Sequence, residues 1–380
     1  MIGIRNGKVE TVIPVEARGK KQMREAHYGC RIDPYGTYKG MRTLVLQNEL
    51  IRMSILLDKG SDIFELLYKP KDVDFMWRSP IGLRHPPIPA SMQNPQGIFT
   101  DYYHGGWQEL FPSASGPSYY QGAHLGFHGE VATCPWEFAV LVDEPEAVEV
   151  LLTTKTLRTP FILEKRIRLE AGRPVIQFRE TIHNYGRTEL DFMWGHHPSY
   201  GAPFLSEDCI LELPDCTIIT SDKAEPSNRL PHGNRFDWPY AVDVHGKPAD
   251  LRKIGGIGAE TTDMFYATAY KEGWYALTNR RMNLGIGMAW PVDDFPHLWI
   301  WQEFGGTKGY PWYGNAYTVV IEPFTSRPSI GEDGLNEAIR NGTAKKIRAG
   351  DKISKELKVV IYETDRGVEK ILPTGEVIER

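Results

Sequence analysis

Runs of alternating apolar residues, each closed by turn formers, dominate this chain, and almost nothing between them carries a helical period. Residues 148–157, 161–169 and 175–183 follow one another in this way, the last ended by Asn184-Tyr185-Gly186. Successive side chains of a strand point to opposite faces, so the pattern buries one face of each segment. Further strands are predicted at 44–57 and 63–68, with Asp58-Lys59-Gly60 as a turn, and at 209–213, 217–220, 274–279, 283–289, 297–303, 317–321 and 353–361. One helix stands out, 334–341, with Gly342 placed to end it. Parallel strands need long, usually helical crossovers, which are missing here. The fold class is therefore all-β, two large antiparallel sheets packed face to face.

A single unit of this kind accommodates all 380 residues. Asn6-Gly7 is a hairpin turn signal inside 2–13, and the polar 364–380 reads as an appended tail. We expect one domain over 1–380, with an N-terminal hairpin and extension over 1–43, a core over 44–363 and a tail over 364–380. From Pro70 to Gly122, seven further prolines punctuate a stretch rich in Tyr, Trp, His and Gly. Long ordered loops in compact proteins are usually functional.

A formal charge of -5 offers no basic field for nucleic acid or an anionic membrane. No segment has the apolar length of a signal or spanning helix, so a cytoplasmic protein is expected. The four cysteines form no Cys-x-x-Cys pair and are expected to be buried free thiols. Nucleotide chemistry and serine hydrolysis are disfavoured, because neither a phosphate-binding glycine loop nor a Gly-x-Ser-x-Gly elbow is present.

Against this background Glu322 is anomalous: it closes an apolar run, just before Pro323. An acid there is either an exposed strand end or a group aimed into a cleft. Histidines stand at similar strand ends, His128 before Gly129 and His196-His197 before Pro198. One carboxylate and two imidazoles make an acid/base set. Adjacent strand residues face opposite ways, and the residue before a proline is held extended, so His197 is the better placed and His196 is structural. His124, His128 and Glu130 share one face of an extended segment, which leaves a metal site open as an alternative. Gly105 and Gly106 would let the backbone approach a ligand, and the Trp107 indole could cover a sugar ring; core aromatics and a glycine turn are the alternative. Trp299 and Trp301 share one face of a strand and Gln302 takes the other, where its amide could meet a hydroxyl. The 10 Trp, 18 Tyr and 15 Phe suit sheets and sugar sites alike.

Taken in order, these pieces resemble the galactose mutarotase-like group, which includes the aldose 1-epimerases. Gly105-Gly106-Trp-Gln-Glu-Leu-Phe-Pro, His128-Gly129 with Trp136, Asn184-Tyr-Gly186, Gly195-His-His197-Pro198 and Ile321-Glu322-Pro323 each resemble a family motif, as do the 334–341 helix and Arg348-Ala-Gly-Asp after it. The resemblance spans about 44–363. It implies a supersandwich with a carbohydrate in its cleft. Glu322 would take the proton of the anomeric hydroxyl, His197 would give one to the ring oxygen, and His128 would orient the sugar or assist the acid. Further sugar contacts would come from His124, Trp107, Gln302 and Trp301, and Asp263 is similar to a family aspartate that meets sugar hydroxyls. No cofactor or metal is implied, the partner is a small carbohydrate, and the protein would be a monomer or homodimer. Hexose-phosphate members carry an arginine four residues after the histidine, where this chain has Ala132. Glu109, Glu130 or Glu303 could instead pair with Glu322 as the second carboxylate of a glycosidase, or the chain could bind sugar without catalysis.

Overall fold

The computed structural model describes residues 2–5, 8–11, 29–84, 97–327 and 333–380. Two antiparallel sheets hold most of them. The larger runs Arg235–Asp237, Thr217–Thr220, Thr261–Thr268, His297–Phe304, Tyr317–Phe324, Gly195–Tyr200, Trp107–Leu110, Asp62–Tyr68, Ile51–Leu56, Met41–Gln47 and Arg31–Tyr38, with Val73–Asp74 pairing off Asp62–Tyr68. The smaller runs Glu137–Glu144, Ala147–Lys155, Phe161–Glu170, Val175–Asn184, Lys352–Tyr362, Leu284–Trp290, Gly273–Asn279 and Cys209–Glu212. Their facing sides interdigitate in one apolar core that includes Val150, Leu163, Phe178, Ile300 and Ile321. Each such side chain contributes about 1.5–3 kcal/mol by leaving water.

The predicted strands are present, and their differences in extent have local causes. Residues 44–57 form two strands rather than one, because Asn48 Oδ1 accepts the N–H groups of Leu50 (2.9 Å) and Ile51 (2.7 Å) and turns the chain. Residues 31–43, expected in an extension, supply the last strand of the larger sheet and the start of its neighbour. The opening hairpin pairs Ile2–Arg5 with Lys8–Thr11; its Asn6-Gly7 turn lies outside the described residues, as does 85–96 of the proline-rich stretch. The helix covers Gly334–Arg340, and a second, four-residue helix covers Gly97–Thr100. All four cysteines are free. Among the described residues no helix is long and apolar enough to cross a membrane.

Two departures matter more. The strand carrying Glu322 does not stop at Pro323 but continues to Phe324, pairing Pro323 with Leu298. The expected tail folds as a hairpin, Val368–Ile371 with Val377–Glu379, against the outer side of the smaller sheet. Gly287 leaves the room: a Cβ there would stand 2.2 Å from Ile371 Cδ1. Ile371 and Val368 bury themselves among Trp274, Ala276 and Val360, which a polar sequence of this length does not advertise. Replacing Ile371 by Ala is expected to cost about 2–4 kcal/mol of unfolding free energy in urea titration. A loss under about 0.5 kcal/mol, the range of surface substitutions, would mean that the hairpin does not dock.

Candidate active site

The central strands of the larger sheet are covered on both sides, by the smaller sheet on one and by loops on the other. Tyr317–Phe324 and Gly195–Tyr200 are almost wholly buried. Inter-strand register sets up one row of side chains across the loop-covered side. Tyr266 pairs with Trp299, Trp299 with Glu322, and His197 with Gln108. Between the Glu322 and His197 strands the ladder holds at Gly195↔Phe324 and Ser199↔Val320 and opens between them. That register sets His197 opposite Glu322, beside Pro198 and Pro323, which have no N–H to give. His197 Nε2 lies 3.9 Å from Glu322 Oε1. The loops close over this pair. His128 stacks 5.2 Å from His197 between ring centroids, Tyr103 lies 5.3 Å from it, and Phe99 packs on both histidines. Trp312 links Tyr103 to Trp301, at 5.8 and 6.2 Å.

Burial sets the charge states. Glu322 is 2% exposed and its Oε2 has no hydrogen-bond partner among the described residues. Desolvation holds its carboxyl well above the usual carboxylate range and pushes His197 down to about 3. The same cause, with the nearby His197, lowers His128. The closed pair thus favours a carboxylic acid beside a neutral imidazole, which holds as many protons as a carboxylate beside an imidazolium. Tyr103 Oη lies 3.3 Å from His197 Nδ1 and is hydrogen-bonded to Ser199 Oγ. With Nδ1–H donating to Tyr103 Oη and Tyr103 to Ser199 Oγ, the Nε2 lone pair faces Glu322, ready to take its proton. At His128 the Ser115 N–H donates to Nδ1 (3.1 Å), which leaves Nε2–H as its free donor. His128 itself takes φ +63°, and Gly129 follows at +81°, where a Cβ would stand 2.5 Å from the Phe111 carbonyl oxygen. This sharp turn swings His128 into the site.

The other expected residues go elsewhere. His124 is exposed and stacks on Tyr119, at 4.7 Å. Trp107 points between the sheets, packing on Phe178 and donating Nε1–H to His196 Nδ1 (3.2 Å). Gln302 and Asp263 pair with each other on the side opposite Glu322, where both bind Arg229, at 3.1 and 3.2 Å. Of the expected sugar contacts, Trp301 alone shares the side of Glu322. Gly105 makes its close approach to the Trp77 carbonyl, 2.1 Å from a Cβ placed there, rather than to a ligand. His196 turns inward, its Nε2–H donating to Glu180 at 2.9 Å. Glu130 is spent on the N–H groups of Leu157 and Arg158 and the Thr159 hydroxyl, so it does not converge with His124 and His128. Among the described residues no three such ligands gather. Tyr103, Ser199, Phe99 and Trp312 were not singled out by sequence, although aromatics in a Gly- and Pro-rich stretch are the signal that Tyr103 and Trp312 share.

Residues 38–361 match the family described as a domain of unknown function, DUF4432, and the chain belongs to it. No curated protein matches. Among solved structures, the chain is similar to a candidate aldose 1-epimerase from Klebsiella pneumoniae subsp. pneumoniae MGH 78578, at 14% identity and a TM-score of 0.67, over 88% of this chain and 84% of that one. It is also similar to a galactose mutarotase related enzyme from Lactobacillus acidophilus (17%, TM-score 0.56, 85% and 98% covered) and a galactose mutarotase-like protein from Lactobacillus casei ATCC 334 (17%, 0.52, 84% and 100%). The fold is therefore galactose mutarotase-like, all-β and antiparallel.

In NMR titration the His197 ring resonances are expected to stay those of a neutral imidazole from pH 8 down to about pH 5, since its folded value lies below the free one of about 6.5. The unfolded chain takes up this proton first, so the His197 contribution to stability is present above about pH 6.5 and lost as pH falls toward about 3. A midpoint near 6.5 would show that the ring is open to water.

Proposed function

We propose that this protein is an aldose 1-epimerase: it exchanges the anomers of a free sugar by general acid/base catalysis, without a cofactor. The observation that carries the reading is the Glu322–His197 pair, set 3.9 Å apart in a site closed by aromatic rings. Ring opening requires a proton to leave the anomeric hydroxyl and another to reach the ring oxygen. Bound sugar brings polar groups to Glu322, favouring its ionised form, and the proton passes to His197. Glu322 then accepts from the anomeric hydroxyl while His197 Nε2–H gives to the ring oxygen. Rotation about C1–C2 and reclosure with reversed transfers yield the other anomer. Only protons move, so the reaction as written consumes no redox or group-transfer partner. The Tyr103 hydroxyl holds the His197 ring, and His128 Nε2–H is a donor for a sugar hydroxyl. Trp301 and Trp312 offer faces for the C–H side of the ring.

The glycosidase alternative needs a second carboxylate within about 10 Å of Glu322. Glu109 points between the sheets to Lys165 (3.1 Å), Glu130 is spent on its loop, and Glu303 binds the Thr307 N–H (3.1 Å). Asp62 continues the row, but three strands from Glu322, about 14 Å at sheet spacing. Epimerisation, which asks for one carboxyl and one imidazole, fits better.

Anomer exchange in a panel of free aldoses, followed by NMR, tests the reading. Glu322→Gln and His197→Asn are each expected to slow exchange by about 10²–10⁴-fold, while His124→Ala leaves it within about twofold. Exchange no faster than in buffer for every sugar would sink the proposal, and full activity of Glu322→Gln would sink the base assignment.

A further inference from the structure

The row that holds Glu322 and His197 runs on its other side through Trp299 and Tyr266 to Ile219. Tyr266 is 1% exposed, and its hydroxyl has no hydrogen-bond partner among the described residues. A buried polar group left bare costs about 1–3 kcal/mol, which makes this O–H a donor in want of an acceptor. His297, on the same side and on the strand of Trp299, leaves its Nδ1 unpartnered as well. Over the Tyr266 ring lies Arg327, its guanidinium carbon 6.0 Å from the centroid. The Arg327 backbone is fixed: its N–H donates to Thr343 Oγ1 (3.0 Å), and its carbonyl accepts from Thr343 Oγ1 (2.8 Å) and Asn341 Nδ2 (2.7 Å). Its guanidinium has neither ion pair nor hydrogen bond among the described residues.

The charges there are mostly positive. Arg327 and Lys345 both act on His297, whose burial together with them pushes it down to about 4. Glu322 and Asp222 act on Tyr266 from the other direction, but burial favours the protonated form of Glu322, and Asp222 is exposed. Guanidinium and phenol offer three or more N–H and O–H donors against a single acceptor, the phenol oxygen, a poorer match for a neutral hydroxyl than for a planar carboxylate. Tyr266 and Glu322 are two strands apart, about 10 Å, a span that one pyranose ring bridges with its anomeric hydroxyl at one end and its C6 group at the other.

We propose that Arg327 and Tyr266 bind the carboxylate of an acidic sugar, so that the substrate class is the hexuronates rather than neutral hexoses. This rests on the sugar-binding reading above and narrows it. Calorimetric titration of the full chain with D-galacturonate, D-galactose and D-galactose 6-phosphate, at low and high salt, tests it. D-galacturonate is expected to bind about tenfold more tightly than D-galactose, with the gap narrowing at high salt. Arg327→Gln should abolish the gap without changing D-galactose affinity or the melting temperature, and Tyr266→Phe should narrow it severalfold. Equal affinities, a gap that survives Arg327→Gln, or tighter binding of the phosphate than of the uronate would overturn the proposal. Anomer exchange is read separately on the same sugars. Galacturonate bound through Arg327 but not exchanged would sink the epimerase reading alone, whereas exchange of galactose without preference for galacturonate would sink the carboxylate site alone.

Discussion

A carboxyl and an imidazole, set opposite each other on neighbouring strands and shut away from water, are the constraint to which the rest of this molecule answers. Neither Glu322 nor His197 gains from the sheet as such: each is a polar side chain where an apolar one would pack better. Their ladder opens beside Pro198 and Pro323, so the backbone does not compete for the same space. With few charges nearby, desolvation governs both groups and drives both toward neutrality. A pair held in this way keeps its proton on the carboxyl beside a neutral imidazole, out of reach of bulk water.

The opposite face of the same strand secures that geometry. His196 donates to Glu180 and accepts from Trp107, while Glu109 meets Lys165 and the Trp194 indole N–H. Buried charges and imidazoles of this kind add little net stability, yet each is costly to leave unpaired. A slip of one residue would send His196 into the site and aim His197 at Glu180, undoing both layers at once. The inter-sheet network therefore specifies register, and register specifies the site. Loops then finish the enclosure: the left-handed turn at His128-Gly129 and the Trp312 segment bring rings that no strand of the sheet could supply.

Much of this was legible in the chain. Alternation in 148–157, 161–169 and 175–183 announced antiparallel strands, because a half-buried strand must alternate. Glu322, His197 and His128 drew notice as polar residues in apolar or glycine contexts, and the structure brings these three together. Trp107, Gln302 and Asp263 were equally conspicuous yet lie on the other side of the sheet. Residue type shows that a side chain suits a sugar, but which face it takes depends on where the strand register begins. His124 was grouped with His128 on the assumption of an extended segment, and the turn at His128 breaks that assumption.

Sequence alone determined the fold class and singled out Glu322, His197 and His128 as candidates, because period and chemical type are local properties that survive without neighbours. It also marked out the 70–122 stretch, where prolines and glycines leave only short regular elements such as Trp107–Leu110. Tertiary structure decided what depends on contacts far apart in the chain: the pairing of His197 with Glu322, the covering by Tyr103 and Trp312, the Arg229 clamp on Asp263 and Gln302, and the placing of the Arg327 guanidinium over Tyr266. Burial does not reside in a residue but in everything folded around it, and burial is what turns an ordinary glutamate into a proton carrier.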